Sequence, residues 1–324
     1  MIASMQFLIT YTVPFLIIIS LVITVHELGH FWAARAFGVA IDRFSLGFGR
    51  PIFARTDKHG VEWRIGWIPL GGYVRFSGDS NDASLPDGEE LENLRRQIHE
   101  RFGAGAEKRF YHFKPVWQRA IIAAAGPAAN FLLAITIFTT LFVSFGDYKV
   151  LPRIGHVEAG SPAEAAGFRA GDLVKTADGR PIKDFEEIMM LVRLHSGETI
   201  RFEVDRGGQT VVILATPVRS LLKDDITGTE AKLGRLGFSS SRDPADVYRV
   251  RYNLFTALSA ATDRVGDSIG GTLKYLGRVV TGRESGDQIG GVIGMAQASG
   301  SVAKSVVNAD QALSAKLANL AIQM

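Results

Sequence analysis

The chain has 324 residues, 36 Lys and Arg against 33 Asp and Glu for a formal net charge of +3, and no cysteine. That length allows two or more structural units, and a near-balanced charge without a basic stretch interleaved with aromatics argues against a nucleic-acid partner. The lack of cysteine excludes disulfides and thiolate metal sites, leaving His, Asp and Glu as the ligand supply.

Residues 1 to 25 carry no charged side chain. They predict a membrane span from roughly Met5 to Val25, continuing as a helix to near Gly38. No basic segment precedes it and no small-residue cleavage site follows it, so it reads as a retained helix and not a signal peptide. Pro14 is expected to kink it. At the end of this block stands Val25-His26-Glu27-Leu28-Gly29-His30. On a helix His26 and His30, four residues apart, project from one face and can grip one metal ion. Glu27, about 100° round the same turn, can act as general base on a water at that ion. A chance match to H-E-x-x-H arises about once in a hundred chains of this length. A glutamate and two histidines are also costly in lipid unless they act.

Residues 39–77 read as a β segment: Phe44 to Phe48, Val61 to Ile65 and Tyr73 to Phe76, with Lys58-His59-Gly60 as a hairpin turn. Ile68-Pro69-Leu70-Gly71-Gly72 is apolar yet loop-like. It suits a segment at a membrane surface or beside a bound strand, and equally an ordinary soluble hairpin. Residues 78–118 read as a charged surface loop, flexible or helical. A second charge-free block, Ala120 to Gly146 within 119–147, contains Ala125-Gly126-Pro127-Ala128-Ala129-Asn130-Phe131 and predicts a second span with a small-residue face. Asn130 is its one strongly polar side chain, bonding a neighbouring helix or facing an active site. Lys and Arg abound between the spans and are missing before the first, which places that loop in the cytoplasm.

Residues 150–218 read as a compact module. Ser161-Pro162 starts a short helix, Asp178-Gly179 marks a hairpin, Asp184 to Leu194 is an amphipathic helix, and Thr199 to Val204 pairs with Thr210 to Leu214. That order predicts a small β-barrel with two helices. Residues 219–247 read as a linker. Residues 248–282 form an amphipathic helix lying on a membrane or packed on a neighbour. Residues 283–324 make a weak start to a further membrane region.

Taken together, these residues resemble the site-2 proteases, the intramembrane zinc metalloproteases, and within them the bacterial regulator-of-sigma-E protease group with one PDZ domain. The resemblance rests on the His26 to His30 motif, on Arg64 to Val74, and on Trp117 to Ala120 followed by Ala125 to Phe131. It continues through Gly160 to Ala163 with Gly171-Asp172, and Gly290 to Ala296, where Val292 replaces a usual proline. The fold it implies is an α+β membrane protein: transmembrane helices carrying the motif, a membrane-associated β segment and an inserted PDZ-like domain.

The activity implied is hydrolysis of a peptide bond in a transmembrane protein substrate at the inner membrane, near the cytoplasmic face. The resemblance suggests an anti-sigma factor as substrate. It implies Zn2+ held by His26 and His30, Glu27 as general base, and substrate contacts at Gly71, Gly72 and Asn130. Peptide ends would bind the PDZ domain on the periplasmic side, as size filter or sensor; a passive spacer is the alternative. The family draws its third ligand from a Leu-Asp-Gly motif on a third span, and none occurs here. The expectation is therefore a chain that stops short of that ligand; substitution by Asp287 or Asp310, neither of which has the family context, is the alternative. The competing reading is a membrane-anchored PDZ adaptor or inactive pseudoprotease.

Overall fold

The computed structural model describes residues 11–78, 88–223, 230–282, 295, 299 and 300. It divides into two units, one built on residues up to Ala134 and one on Ile135–Gln297.

In the first unit, helix α1 (Val13–Ala36) carries no charged residue before His26 and ends where Phe37 N–H returns to the Ala33 carbonyl. Pro14 sits in its first turn, where the missing N–H costs nothing, instead of in a kinked middle. Helix α1 is long and apolar enough to cross a membrane. Its sides stay bare, with Ile17 65% exposed, which a core helix of a soluble protein would not allow.

Strands β1 (Ile41–Thr56) and β2 (Glu62–Phe76) follow. The turn between them is organised by Asp57, whose carboxylate accepts from the His59 and Val61 N–H groups and from Trp63 Nε1. Both strands bend. Arg43 to Leu46 pair with Glu62 to Ile65 on one side and with Gly72 to Arg75 on the other, while Pro51 to Thr56 pair with Glu62 to Gly66. Two long strands therefore supply four ladder segments, and Gly72 to Phe76 lies at one edge. Ile68 to Gly72, expected to be loop-like, belongs to β2. It was hidden by its glycines, which the bends require: Gly47 has φ +77° and Gly71 φ +135°.

Under this sheet, Phe31, Ala34, Val39, Ile41, Phe44, Val61 and Ile122 form a core. Helix α2 (Gly88–Phe102) and two short 3-10 turns lead to helix α3 (Val116–Phe145). Helix α3 is also long and apolar enough to cross a membrane, with Leu132 64% exposed.

The second unit starts in the last turns of α3. Strand β3 (Asp147–Val150) precedes β4 (Ile154–Val157), helix α4 (Pro162–Ala166), β5 (Leu173–Ala177), β6 (Arg180–Pro181) and helix α5 (Phe185–Leu194). Strands β7 (Ile200–Arg206) and β8 (Gln209–Ala215) complete a four-stranded sheet ordered β6-β5-β7-β8. The predicted caps are present: Ser161 Oγ accepts from Glu164 N–H, and Asp184 accepts from Glu187 N–H. Asp178 and Gly179 both take positive φ, as a tight hairpin turn needs. Ile154, Val174, Ile188, Ile200, Phe202 and Leu236 are among its buried core residues.

Two expectations are corrected here. Among the described residues the strands do not close into a barrel, because β6 is two residues long and Pro181 has no N–H to extend the ladder. The stretch expected as a linker carries β9 (Val218–Lys223), β10 (Glu230–Arg235) and β11 (Phe238–Ser240). Strand β11 returns to pair with β4, anchored by buried Leu236. Strand β12 (Val247–Val250) then pairs with β3, and helix α6 (Leu254–Val280) follows a capping box at Asn253. Helix α6 turns its charges to the module, pairing Arg264 with Glu186 and Arg278 with Glu198, each at 2.8 Å. Its apolar stripe of Phe255, Leu258, Leu273, Leu276 and Val280 stays exposed. The expected membrane region 283–324 lies almost wholly outside the described residues.

Candidate active site

Helix α1 delivers His26, Glu27 and His30 to one place because the helix continues unbroken through them. The two imidazoles meet edge to face, with ring centroids 4.8 Å apart and Nε2 atoms 3.2 Å apart. Two nitrogens bound to one tetrahedral zinc at about 2.05 Å lie roughly 3.3 Å from each other. The pair thus already stands at the separation that shared zinc ligation requires.

Helix α3 lines this pair with one stripe, Ile122, Gly126 and Asn130, at successive spacings of four. The Ile122 carbonyl accepts from His30 Nδ1 at 2.7 Å, which fixes that ring as the tautomer with a free Nε2 lone pair. Asn130 lies 3.3 Å from His26 Nδ1. Between them, Gly126 leaves room for both Nε2 atoms: a Cβ there would lie 2.3 Å from His30 Nε2 and 2.8 Å from His26 Nε2. The helices come this close because Gly29 rests on Ala125, where a Cβ would meet the Ala125 carbonyl at 2.3 Å. This cradle fits a metal held by His26 and His30.

Strand β2 closes the other side. Ser20 Oγ donates to the Pro69 carbonyl at 3.0 Å, so the hairpin runs alongside the apolar helix. A Cβ on Gly72 would lie 3.2 Å from Glu27 Cγ and 3.2 Å from Ile23 Cγ2, so the strand runs directly against Glu27. At the C-terminal end of α1, Lys114 Nζ donates to the Phe37 carbonyl at 2.6 Å. That pole of a helix favours a cation, although burial pulls the Lys114 pKa below the usual lysine value.

Of the residues expected at the site, His26, Glu27, His30, Gly72 and Asn130 come together. Gly71 does not join them; it packs on Phe48, whose ring a Cβ there would strike. Among the described residues no group of three His, Cys, Asp or Glu could hold a metal, and Asp287 and Asp310 lie outside them. Sequence reasoning missed Gly126 and the Ile122 carbonyl. Only Gly126 left a trace, as the residue four before Asn130 on a predicted small-residue face.

The family model described as Peptidase family M50 matches residues 14–323. The metalloprotease MmpA of Caulobacter vibrioides is 48% identical over 295 residues, 91% of this chain and 73% of that protein. Proteins bearing the name zinc metalloprotease are similar too. One from Mesorhizobium japonicum is 37% identical over 90% of this chain and 77% of its own length. Another, from Agrobacterium fabrum, is 35% identical over 97% of this chain and 81% of its own length. Among solved structures, the PDZ domain of an SdrC-like protein from Listeria innocua covers 29% of this chain at 20% identity with a TM-score of 0.23.

Proposed function

The chain belongs to peptidase family M50 and is a zinc metalloendopeptidase, and from that premise we propose that it cuts a transmembrane protein substrate within or beside the bilayer. The carrying observation is the arrangement at α1: two imidazole Nε2 atoms 3.2 Å apart, with Glu27 next to them and beneath an edge strand. His26 and His30 would hold the zinc. Bound there, zinc supplies Lewis-acid polarisation and an acidified water.

The protein's own part is positional. Glu27 stands one residue from His26 and takes the proton of the attacking water, with the strand at Gly72 lying against its side chain. The segment Gly72 to Phe76 has no strand on its outer edge among the described residues. A substrate pairing there as an added strand satisfies its own backbone groups, which an unwound transmembrane helix must do in lipid. Gly72, with no side chain, lets that strand lie against Glu27. Asn130, beside His26, is the polar group available to the substrate from α3.

The bare sides of α1 and α3 and the apolar stripe of α6 support a multi-pass protein of a bacterial inner membrane. The basic loop between α1 and α3 supports a cytoplasmic site, with the second unit as a periplasmic PDZ-type module taking peptide ends. An anti-sigma factor is the substrate this reading favours. The absence of a third ligand among the described residues favours one alternative, a membrane-anchored PDZ adaptor without catalysis. Co-expression of a tagged single-span substrate with the wild type and with Glu27→Gln decides between them. The protease reading expects cleavage that the Gln variant loses, whereas the adaptor reading expects binding without cleavage by either.

A further inference from the structure

We infer that Asn130 is a positioning residue for His26: its side-chain carbonyl accepts from His26 Nδ1–H and so holds the Nε2 lone pair toward the metal. The inference rests on the reading of His26 and His30 as ligands, and it concerns a different atom from any substrate contact.

Three observations carry it. First, both imidazoles are held at Nδ1 by the same face of α3, His30 by the Ile122 carbonyl at 2.7 Å and His26 by Asn130 at 3.3 Å, eight residues further on. Second, Asn130 Oδ1 is buried without a hydrogen-bond partner while Nδ2 faces His26 Nδ1. A half-turn of the carboxamide exchanges its two ends and gives Oδ1 a donor. Third, only this arrangement leaves both Nε2 atoms unprotonated. An amide donor at Nδ1 would force the His26 proton onto Nε2, pointed at His30 Nε2 and into the gap that Gly126 keeps open.

The flipped amide places its NH2 where Oδ1 now lies, a donor that a bound water or substrate carbonyl can meet. Orienting groups of this kind typically contribute 10- to 100-fold in metal affinity.

The test compares wild type with Asn130→Leu and Asn130→Asp, in detergent and with 15N-labelled histidine. Proton–nitrogen correlation spectra of the metal-free proteins report which ring nitrogen of His26 carries the proton, and a competing chelator reports zinc affinity. The expected result is a proton on His26 Nδ1 in the wild type and in Asn130→Asp, which keeps the acceptor. In Asn130→Leu that single tautomer is lost, and zinc affinity falls by about 10- to 100-fold. His30, tied to Ile122, serves as the internal check on helix packing. If its signal also moves in the Leu variant, the Asp variant decides: retention of the Nδ1 proton supports the inference and its loss overturns it. A His26 proton on Nε2 in the wild type, or a Leu variant unchanged in both tautomer and affinity, also overturns it. Absence of zinc binding by wild type would instead sink the metalloprotease reading, and the tautomer would still be read.

Discussion

Replacing Gly126 by alanine puts one methyl group where the structure leaves no space for it. The added Cβ would lie 2.3 Å from His30 Nε2 and 2.8 Å from His26 Nε2. Ordinary contact begins near 3.4 Å, so the shortfall at His30 is 3.4 − 2.3, or 1.1 Å. His30 cannot swing aside without breaking its bond to the Ile122 carbonyl, and α3 cannot tilt freely because Gly29 already touches Ala125. Overpacking of this kind costs about 1–3 kcal/mol. A displacement near 1 Å at a reacting centre lowers turnover by roughly 100-fold. Gly126→Ala is therefore expected to lose zinc affinity and cleavage together while the second unit, read by hydrogen exchange, stays intact. Wild-type zinc affinity and turnover in this variant would refute the cradle, because they would show that the two Nε2 atoms do not share the space facing Gly126.

Gly72→Leu is expected to keep zinc but lose cleavage, since its side chain would stand over Glu27 and on the edge strand; unchanged turnover would remove Gly72 from the site. In the second unit, Asp172 is wholly buried and takes two bonds from Arg206, at 2.7 and 2.8 Å, besides one from Arg169 N–H. Asp172→Asn should destabilise that module by about 3 kcal/mol, read as faster amide exchange in β5 and β7. In the β1–β2 hairpin, Arg43 and then Arg64 hold the Glu62 carboxyl below the usual carboxylate range. A depressed folded pKa means this support is complete above the ordinary glutamate value of about 4.3 and is lost as pH falls through the folded one. Hairpin amide exchange should accelerate across that acid window in wild type and lose this step in Glu62→Gln.

Much of the candidate site could be read from sequence because three of its residues are local. His26, Glu27 and His30 lie within one helical turn, and a charge-free run fixes that helix, so spacing alone gives their common face. Asn130 stood out as a lone amide in an apolar block, although its partner did not, because a separation of 104 positions from His26 is closed only by tertiary packing. The close approach of Gly29 to Ala125 and the space at Gly126 come from glycine being small, which no hydrophobic pattern records. The β segment was recognised and its bends were not: glycines at positive φ look like loop punctuation, yet here they fold each strand back on the sheet. Strands β9 to β11 were missed because Arg219 to Arg235 carries few β-branched or aromatic residues, and β11 gains its place only by pairing with β4. In α6 both alternatives drew on real features, since its charged face meets the module and its apolar face stays free.

The most direct test of the central claim is zinc content per chain, measured on detergent-purified wild type, Glu27→Gln and the double variant His26→Ala/His30→Ala, alongside cleavage of a single-span substrate. The account predicts zinc in the wild type and in Glu27→Gln, none in the double variant, and cleavage by the wild type alone. Zinc retained by the double variant, or cleavage surviving in Glu27→Gln, would contradict it.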